Sequence, residues 1–361
     1  MKSKAGVAER FPFLLLLIAF SAILLSKQGA LNFFDTQITS LGLTHSWREW
    51  IAVAPLTIFF FVAGLELRSE ILNKGRALLI PTAAALGGML APALIYISLA
   101  RIWNFDGSGW GVPMATDLPL VLTAIAFLPP LRQSALRPFL LTLAIVDDGL
   151  SILVVAFKFH SDFRVLDLLL FILFTALYAL FNRKRFTGAP ILVAASALAA
   201  WYFCARSGIH PTVAGVALGL LTFQIKERSV KNFWEPLSNY FVVPLFIFSV
   251  FAISADYSWS SITSHESLAL IIARIAGKPI GIIIFAIGAS IILRHRLELS
   301  KPDLLFAGFL ATLGLSVSLL FAQLSLSGSA LSLAIIGTVV TIPIAAIAIV
   351  TLYFLTRATA A

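Results

Sequence analysis

Four ionisable residues of this 361-residue chain stand where ionisable residues are costly. Asp147 and Asp148 fall at the middle of one long apolar run, Asp117 at the middle of the run before it, and Lys278 near the middle of a third. If these runs cross a bilayer, each charge sits near its centre, at about 2.5–3.5 kcal/mol apiece on insertion scales, and is a functional candidate by default. The chemistry open to such a group is that of small cations, because carboxylate oxygens are hard ligands. Burial and a like charge raise a carboxylate's pKa, whereas a nearby ammonium lowers it. A carboxylate tuned between these influences holds a proton or a metal cation, but not comfortably both. Consecutive aspartates point about 100° apart around a helix, so one of Asp147 and Asp148 can meet Lys278 while the other faces a cavity. Two such acids titrate as a coupled unit. That competition, with access alternating between two sides, is a recipe for cation/proton exchange.

Helix breakers lie beside the same charges. Pro113 and Pro119 flank Asp117, and Pro279 follows Lys278. Proline has no N–H to donate and clashes with the preceding turn. Irregular backbone at membrane depth survives only where protein or a watery cavity satisfies the freed groups. A buried ion pair that merely locks helices together would need neither three carboxylates against one lysine nor breakers next to them.

The elements that must position these residues are membrane helices. Hydrophobic side chains make up 60% of the chain and charged ones 12%, against roughly 45–50% and about 25% in soluble domains. With a mean hydropathy of +0.98, a water-soluble fold is excluded. Between charge clusters and Gly/Pro punctuation, twelve segments have the length of about 20 residues that a span needs. They lie near 11–26, 48–66, 77–100, 109–128, 138–158, 165–181, 187–205, 209–224, 234–254, 268–293, 303–325 and 329–356. The first follows Lys2, Lys4 and Arg10 but lacks a small-x-small cleavage site, so it reads as an uncleaved helix. The expectation is an all-α polytopic membrane protein, one transmembrane domain over 1–361 with no soluble domain.

The net charge of +9 is then an orientation signal, with no nucleic-acid partner implied. Eighteen basic residues fall on the side of the two termini and six in the opposite loops, which puts both termini in the cytoplasm. Only Arg274 and Lys278 remain inside apolar segments. Arg274 stands four residues before Lys278, on the same helix face, some six residues from the start of its span. Counted from that end, it reads as a side chain snorkelling to the outer interface. The sharper reading is that it adds positive potential beside the aspartates and keeps transport active at more acidic pH. The lone Cys204 excludes a disulfide framework, and five scattered histidines argue against a His-built metal site.

Several of these stretches resemble the NhaA-type sodium/proton antiporters. They are Phe59-Phe60-Phe61-Val62-Ala63-Gly64-Leu65-Glu66, Ala115-Thr116-Asp117, Ile145-Val146-Asp147-Asp148, Ser207-Gly208-Ile209-His210-Pro211-Thr212, Gly277-Lys278-Pro279 and Gly314-Leu315-Ser316-Val317-Ser318. They occur in the family's order. The resemblance implies an inverted repeat and two broken helices crossing at mid-membrane, by position the fourth span at Thr116-Asp117 and the eleventh at 314–318. It implies an ion- and proton-binding set of Asp148, Asp147, Asp117 and Thr116, with Na+ or Li+ at Asp148 and Asp147. Lys278 would pair with Asp147 in one state and, with Asp117, compensate the dipole ends of the broken helices. Glu66 and His210 match family positions, the first tied to pH response, and Arg274 departs from a normally apolar turn. No cofactor is implied beyond the transported ions. The implied partners are small inorganic cations, the lipid of a bacterial inner membrane and a second copy of the chain, although the outer loop at 27–47 reads as short for the family's dimer hairpin.

Two rival readings fit the residues less well. A sodium-coupled solute symporter on the same fold would need polar anchors beyond these motifs. An intramembrane aspartyl protease needs acids placed face to face on two helices, and leaves Lys278 unexplained.

Overall fold

The computed structural model describes residues 32–40, 43–117, 135–158, 164–183, 190–251, 259–297 and 299–358, with isolated positions between 18 and 25 and between 120 and 125. Most of the first expected span, 11–26, and of the fourth span beyond Asp117 lies outside the described residues.

A short hairpin, β1 (Gln37–Ser40) and β2 (Leu43–Ser46), is followed by helices α1 (Trp47–Val53), α2 (Pro55–Lys74), α3 (Leu79–Trp103), α4 (Leu136–Lys158), α5 (Val165–Phe181), α6 (Pro190–Arg206), α7 (Thr212–Leu220) and α8 (Gln224–Leu237). Then come α9 (Val243–Phe251), α10 (Trp259–Ile262), α11 (His265–Ile272), α12 (Lys278–Ile292), α13 (Lys301–Leu310), α14 (Ser316–Ser325) and α15 (Gly328–Ala358). Among the described residues, five continuous stretches are long and apolar enough to cross a bilayer: Glu49–Asn73, Leu79–Trp103, Asn232–Phe251, His265–Ile292 and Gly328–Thr356. Helices α5, α6 and α14 are apolar but shorter. The chain is an all-α membrane protein. Its side chains are distributed accordingly: Ile102, Leu166, Ile191, Leu198, Ile291 and Ile292 are exposed, while Arg274, Lys278 and Asp147 are buried.

The chain divides into two compact units. The first gathers the described residues of Lys74–Ser151 and Ser254–Ala361. Close backbone contact joins α3 to α12: a Cβ at Gly281 would lie 2.0 Å from the Gly87 carbonyl oxygen, and one at Gly87 2.2 Å from that of Gly281. Small residues let helices approach where no hydrophobic effect drives them together. Between α11 and α12 the helix opens into a π-helical turn, Ala273–Gly277. Pro279 has no N–H for the Ile275 carbonyl and crowds it, so the hydrogen-bond ladder is interrupted one turn ahead of it. Such bulges gather at functional sites, and this one carries Arg274.

The second unit comprises the described residues of Leu17–Asn73 and Ile152–Ile253. Phe171, Tyr178, Ala200, Cys204, Ala214 and Leu218 from α5, α6 and α7 form its core. Tyr178 and Thr222 share a buried hydrogen bond of 2.7 Å. Ser46 and Glu49 close a capping box that starts α1. A second π-helical turn, Ser238–Val242, precedes Pro244. The loop that reads as short in sequence contains an antiparallel strand pair, from Gln37↔Ser46 to Ser40↔Leu43. On its face Thr39 and Thr44 stand opposite each other, their hydroxyls 3.0 Å apart.

Gly281→Val should reduce the yield of folded, monodisperse protein, since overpacking costs about 1–3 kcal/mol. Gly288→Ala, at a position with nothing within 4 Å, should match the parent. Size-exclusion chromatography with a fluorescent fusion compares the two.

Candidate ion-binding site

Two stretches of the first unit leave the helical conformation and meet. After the 3-10 turn Gly107–Met114, residues Ala115, Thr116 and Asp117 run without helical structure. The second stretch, 311–315, separates α13 from α14. They are joined by the Asp117 amide donating to the Leu313 carbonyl at 2.8 Å and the Thr116 hydroxyl donating to that of Ala311 at 3.0 Å. Contact this close depends on Gly314, where a Cβ would come within 2.2 Å of the Ala115 carbonyl oxygen.

Helix α14 therefore starts in the interior with its first amides unmet, and Leu315 provides no side-chain cap. Asp117 supplies one. Its Oδ2 accepts from the amides of Leu315 and Ser316, both at 2.7 Å, and its Oδ1 from the Ser316 hydroxyl at 2.5 Å. A carboxylate at a helix N-terminus is favoured by hydrogen bonding and dipole alike.

The opposite need, for donors to carbonyls, is met by cations. Lys278 Nζ donates to the Met114 carbonyl and to Asp147 Oδ2, the latter at 3.1 Å. Both side chains are excluded from solvent, at 0% and 1% exposed. Asp147 Oδ1 is buried with no hydrogen-bond partner among the described residues, although Thr116 lies beside this carboxylate. Asp148 is 5% exposed and within electrostatic reach of Lys278. One turn further along α4, the Ser151 hydroxyl is buried and also without a partner among the described residues. Standing three and four residues after the aspartates, it shares their side of the helix.

Arg274 does not snorkel. It is 0% exposed and directed into the first unit, because the π-helical turn and the packing of α12 on α3 turn this face inward. Counting residues from the end of its span could not register that. Glu66 and His210 belong to the second unit. Glu66 is half-buried in α2. His210 is buried just ahead of α7, its Nδ1 2.7 Å from the Thr212 hydroxyl and accepting from the Thr212 amide at 3.4 Å. Of the sequence-predicted residues, then, Thr116, Asp117, Asp147, Asp148, Lys278 and Arg274 share the first unit. Ser151 is not among the sequence-predicted residues, although its helical spacing from the aspartates can be read there.

Buried carboxylates, a lysine and interrupted backbone thus share one unit of a helical membrane protein, an arrangement suited to small cations. The profile of the family described as Na+/H+ antiporter 1 matches residues 8–353, and the chain belongs to that family. It is similar to the Na+/H+ antiporter NhaA of Streptomyces avermitilis, 36% identical over 338 residues that cover 87% of this chain and 72% of that protein. It is 35% identical to Na+/H+ antiporter NhaA 1 of Kineococcus radiotolerans, with 86% of this chain and 79% of that protein covered. For NhaA 2 of the same organism the identity is 35%, over 79% of this chain and 66% of that protein. The chain thus spans about two thirds to four fifths of the length of these relatives.

Asp117→Ala strands two buried amides, at about 1–3 kcal/mol for each unsatisfied group. It should lower the melting temperature of the detergent-solubilised protein clearly more than Asp117→Asn, which keeps an acceptor. Light-scattering or fluorescence melts separate the two.

Proposed function

We propose that this chain exchanges cytoplasmic Na+, or Li+, for external protons by alternating access. The observation that carries the reading is the solvent-excluded Asp147–Lys278 pair, with the buried Asp148 on the next position of the same helix. Membership of the family supports it, as do the names of the relatives.

The cation is substrate, and an oxygen-rich site suits it. Asp148 and Asp147 supply the charge. Thr116 and the Ser151 hydroxyl, with its lone pairs uncommitted among the described residues, supply neutral oxygen. An arriving cation competes with the Lys278 ammonium for Asp147 and with a proton for either carboxylate. Lys278 displaced from Asp147 keeps the Met114 carbonyl as a partner. Cation in and proton out are therefore alternatives at one place, which is what coupling requires. Exchange is electrogenic and pH-regulated in this reading, with Glu66, His210 and Arg274 assigned to the pH response.

The finer architecture belongs to the same proposal. Twelve spans make one transmembrane domain, with an inverted repeat and both termini in the cytoplasm of a bacterial inner membrane. The stretches at 115–117 and 311–315 would be the crossing point of two broken helices, a reading supported by their mutual hydrogen bonds. The β1–β2 hairpin supports a homodimer.

In everted membrane vesicles holding a proton gradient, adding Na+ or Li+ should dissipate the gradient with the parent chain and leave it intact with Asp148→Asn. Absence of any response with folded, inserted parent protein refutes the exchange. Ser151→Ala should retain exchange and raise the apparent KM for Na+ roughly threefold to tenfold, the worth of one polar contact. The same vesicle assay, run as a cation titration, measures it.

A further inference from the structure

Arg274 meets interrupted backbone as directly as the Asp117 carboxylate does, with two backbone bonds each. Its Nη1 donates to the Gly314 carbonyl at 2.8 Å and to the Thr341 hydroxyl at 3.2 Å. Its Nη2 donates to the Val112 carbonyl at 2.6 Å and to the Ser318 hydroxyl. One guanidinium thereby ties together the 3-10 turn before Asp117, the stretch before α14, α14 itself and α15, all within the first unit. Among its nitrogens, only Nε is left without a partner among the described residues. Burying an arginine completely is expensive, and an apolar side chain of similar volume would fill the space without that cost. What an apolar side chain cannot do is satisfy two buried carbonyls at once.

Arginine and lysine differ in just this respect. The guanidinium is a planar fork that stays charged at any physiological pH, whereas the ammonium is a compact point charge on a flexible stem. Here the fork holds the carbonyls of Val112 and Gly314, and the ammonium holds that of Met114 together with Asp147. Asp117 answers from the other side, on the amides of Leu315 and Ser316. The buried charges among the described residues of the unit fall into two sets: a fixed pair, Arg274 and Asp117, committed to backbone, and a working set, Lys278, Asp147 and Asp148.

We infer that Arg274 is a positioning residue for the cation site: it clamps the two non-helical stretches in register, presenting Thr116 to Asp147, and keeps a fixed cation on the interrupted backbone when Lys278 exchanges partners. The inference deepens the proposed exchange and rests on it for its transport arm, but its backbone arm does not.

The test uses the full chain carrying Arg274→Gln, which is neutral, and Arg274→Lys, which keeps the charge without the fork. In detergent, hydrogen exchange by mass spectrometry follows the amides of Asp117, Leu315 and Ser316. Both variants should speed exchange there at least about tenfold, with peptides of the second unit unchanged. In vesicles, normalised to folded protein, the apparent KM for Na+ should rise about tenfold while the maximal rate falls less than about threefold. Arg274→Lys should lie between the parent and Arg274→Gln. Unchanged protection at these amides overturns the clamp whether or not the parent transports. Altered protection with an unchanged KM overturns the positioning role. A parent chain inactive in vesicles refutes the exchange reading alone, and the amide protection still decides the clamp. If Arg274→Gln does not fold, Arg274→Lys and Ser318→Ala, which removes one bond of the fork, carry both measurements.

Discussion

Every departure from helix inside a membrane protein creates donors and acceptors that water cannot reach, and each buried charge creates the same problem at larger scale. In the first unit these two demands are set against each other. The stretches at 115–117 and 311–315 free amides at the start of α14 and carbonyls at Val112, Met114 and Gly314. Asp117 takes the amides, and Arg274 with Lys278 takes the carbonyls. Neither the irregular backbone nor the charges would be tolerated without the other. The glycines and the π-helical turn follow from that arrangement, because they bring the groups within hydrogen-bonding distance.

What distinguishes the Asp147–Lys278 pair is its incompleteness. Asp117 has both oxygens occupied, whereas Asp147 keeps Oδ1 buried and without a hydrogen bond among the described residues. A buried ion pair is close to break-even against an apolar replacement, but stripping one partner costs about 3–5 kcal/mol. In the proposed exchange a cation that displaces Lys278 takes its place at Asp147 while the ammonium keeps the Met114 carbonyl, so the carboxylate is not left unpaired. Burial thus favours direct replacement at the site, and the alternating access of the proposal sets which side each ion comes from.

Much of this is legible in the sequence, for a simple reason. A chain with so few charged residues reveals its intramembrane ones by elimination, so Asp117, Asp147, Asp148 and Lys278 stand out from the positions of the charges alone. The break near Asp117 is marked by Pro113, whereas the one at 314–318 is legible only through the resemblance. Partner choice is not legible, because it is settled by segments more than a hundred residues apart, such as Lys278 with Met114 and Asp147. Arg274 shows the limit most clearly. Counting residues from the end of its span gives its depth along the helix but not its direction, and direction depends on the π-helical turn and on how α12 packs against α3. The strand pair of residues 37–40 and 43–46 is hard to see in sequence because four-residue strands carry little periodic signal.

Each position of the segment Gly314-Leu315-Ser316-Val317-Ser318 that meets a charge or a close backbone has its own physical reason. Gly314 is needed because the Ala115 carbonyl approaches to where a Cβ would stand. Its own carbonyl, turned out of the helical ladder, accepts from Arg274. Leu315 and Ser316 present their amides to Asp117, and the Ser316 hydroxyl adds a third bond to the same carboxylate. Ser318, two residues on and so on another side of α14, turns to Arg274 instead. The alternation of serines thus divides one short helix start between an anion and a cation that arrive from different elements. A substitution that keeps a hydroxyl but moves it by one residue would leave each charge with the wrong neighbour, so it is the spacing of these serines, more than their number, that the site requires.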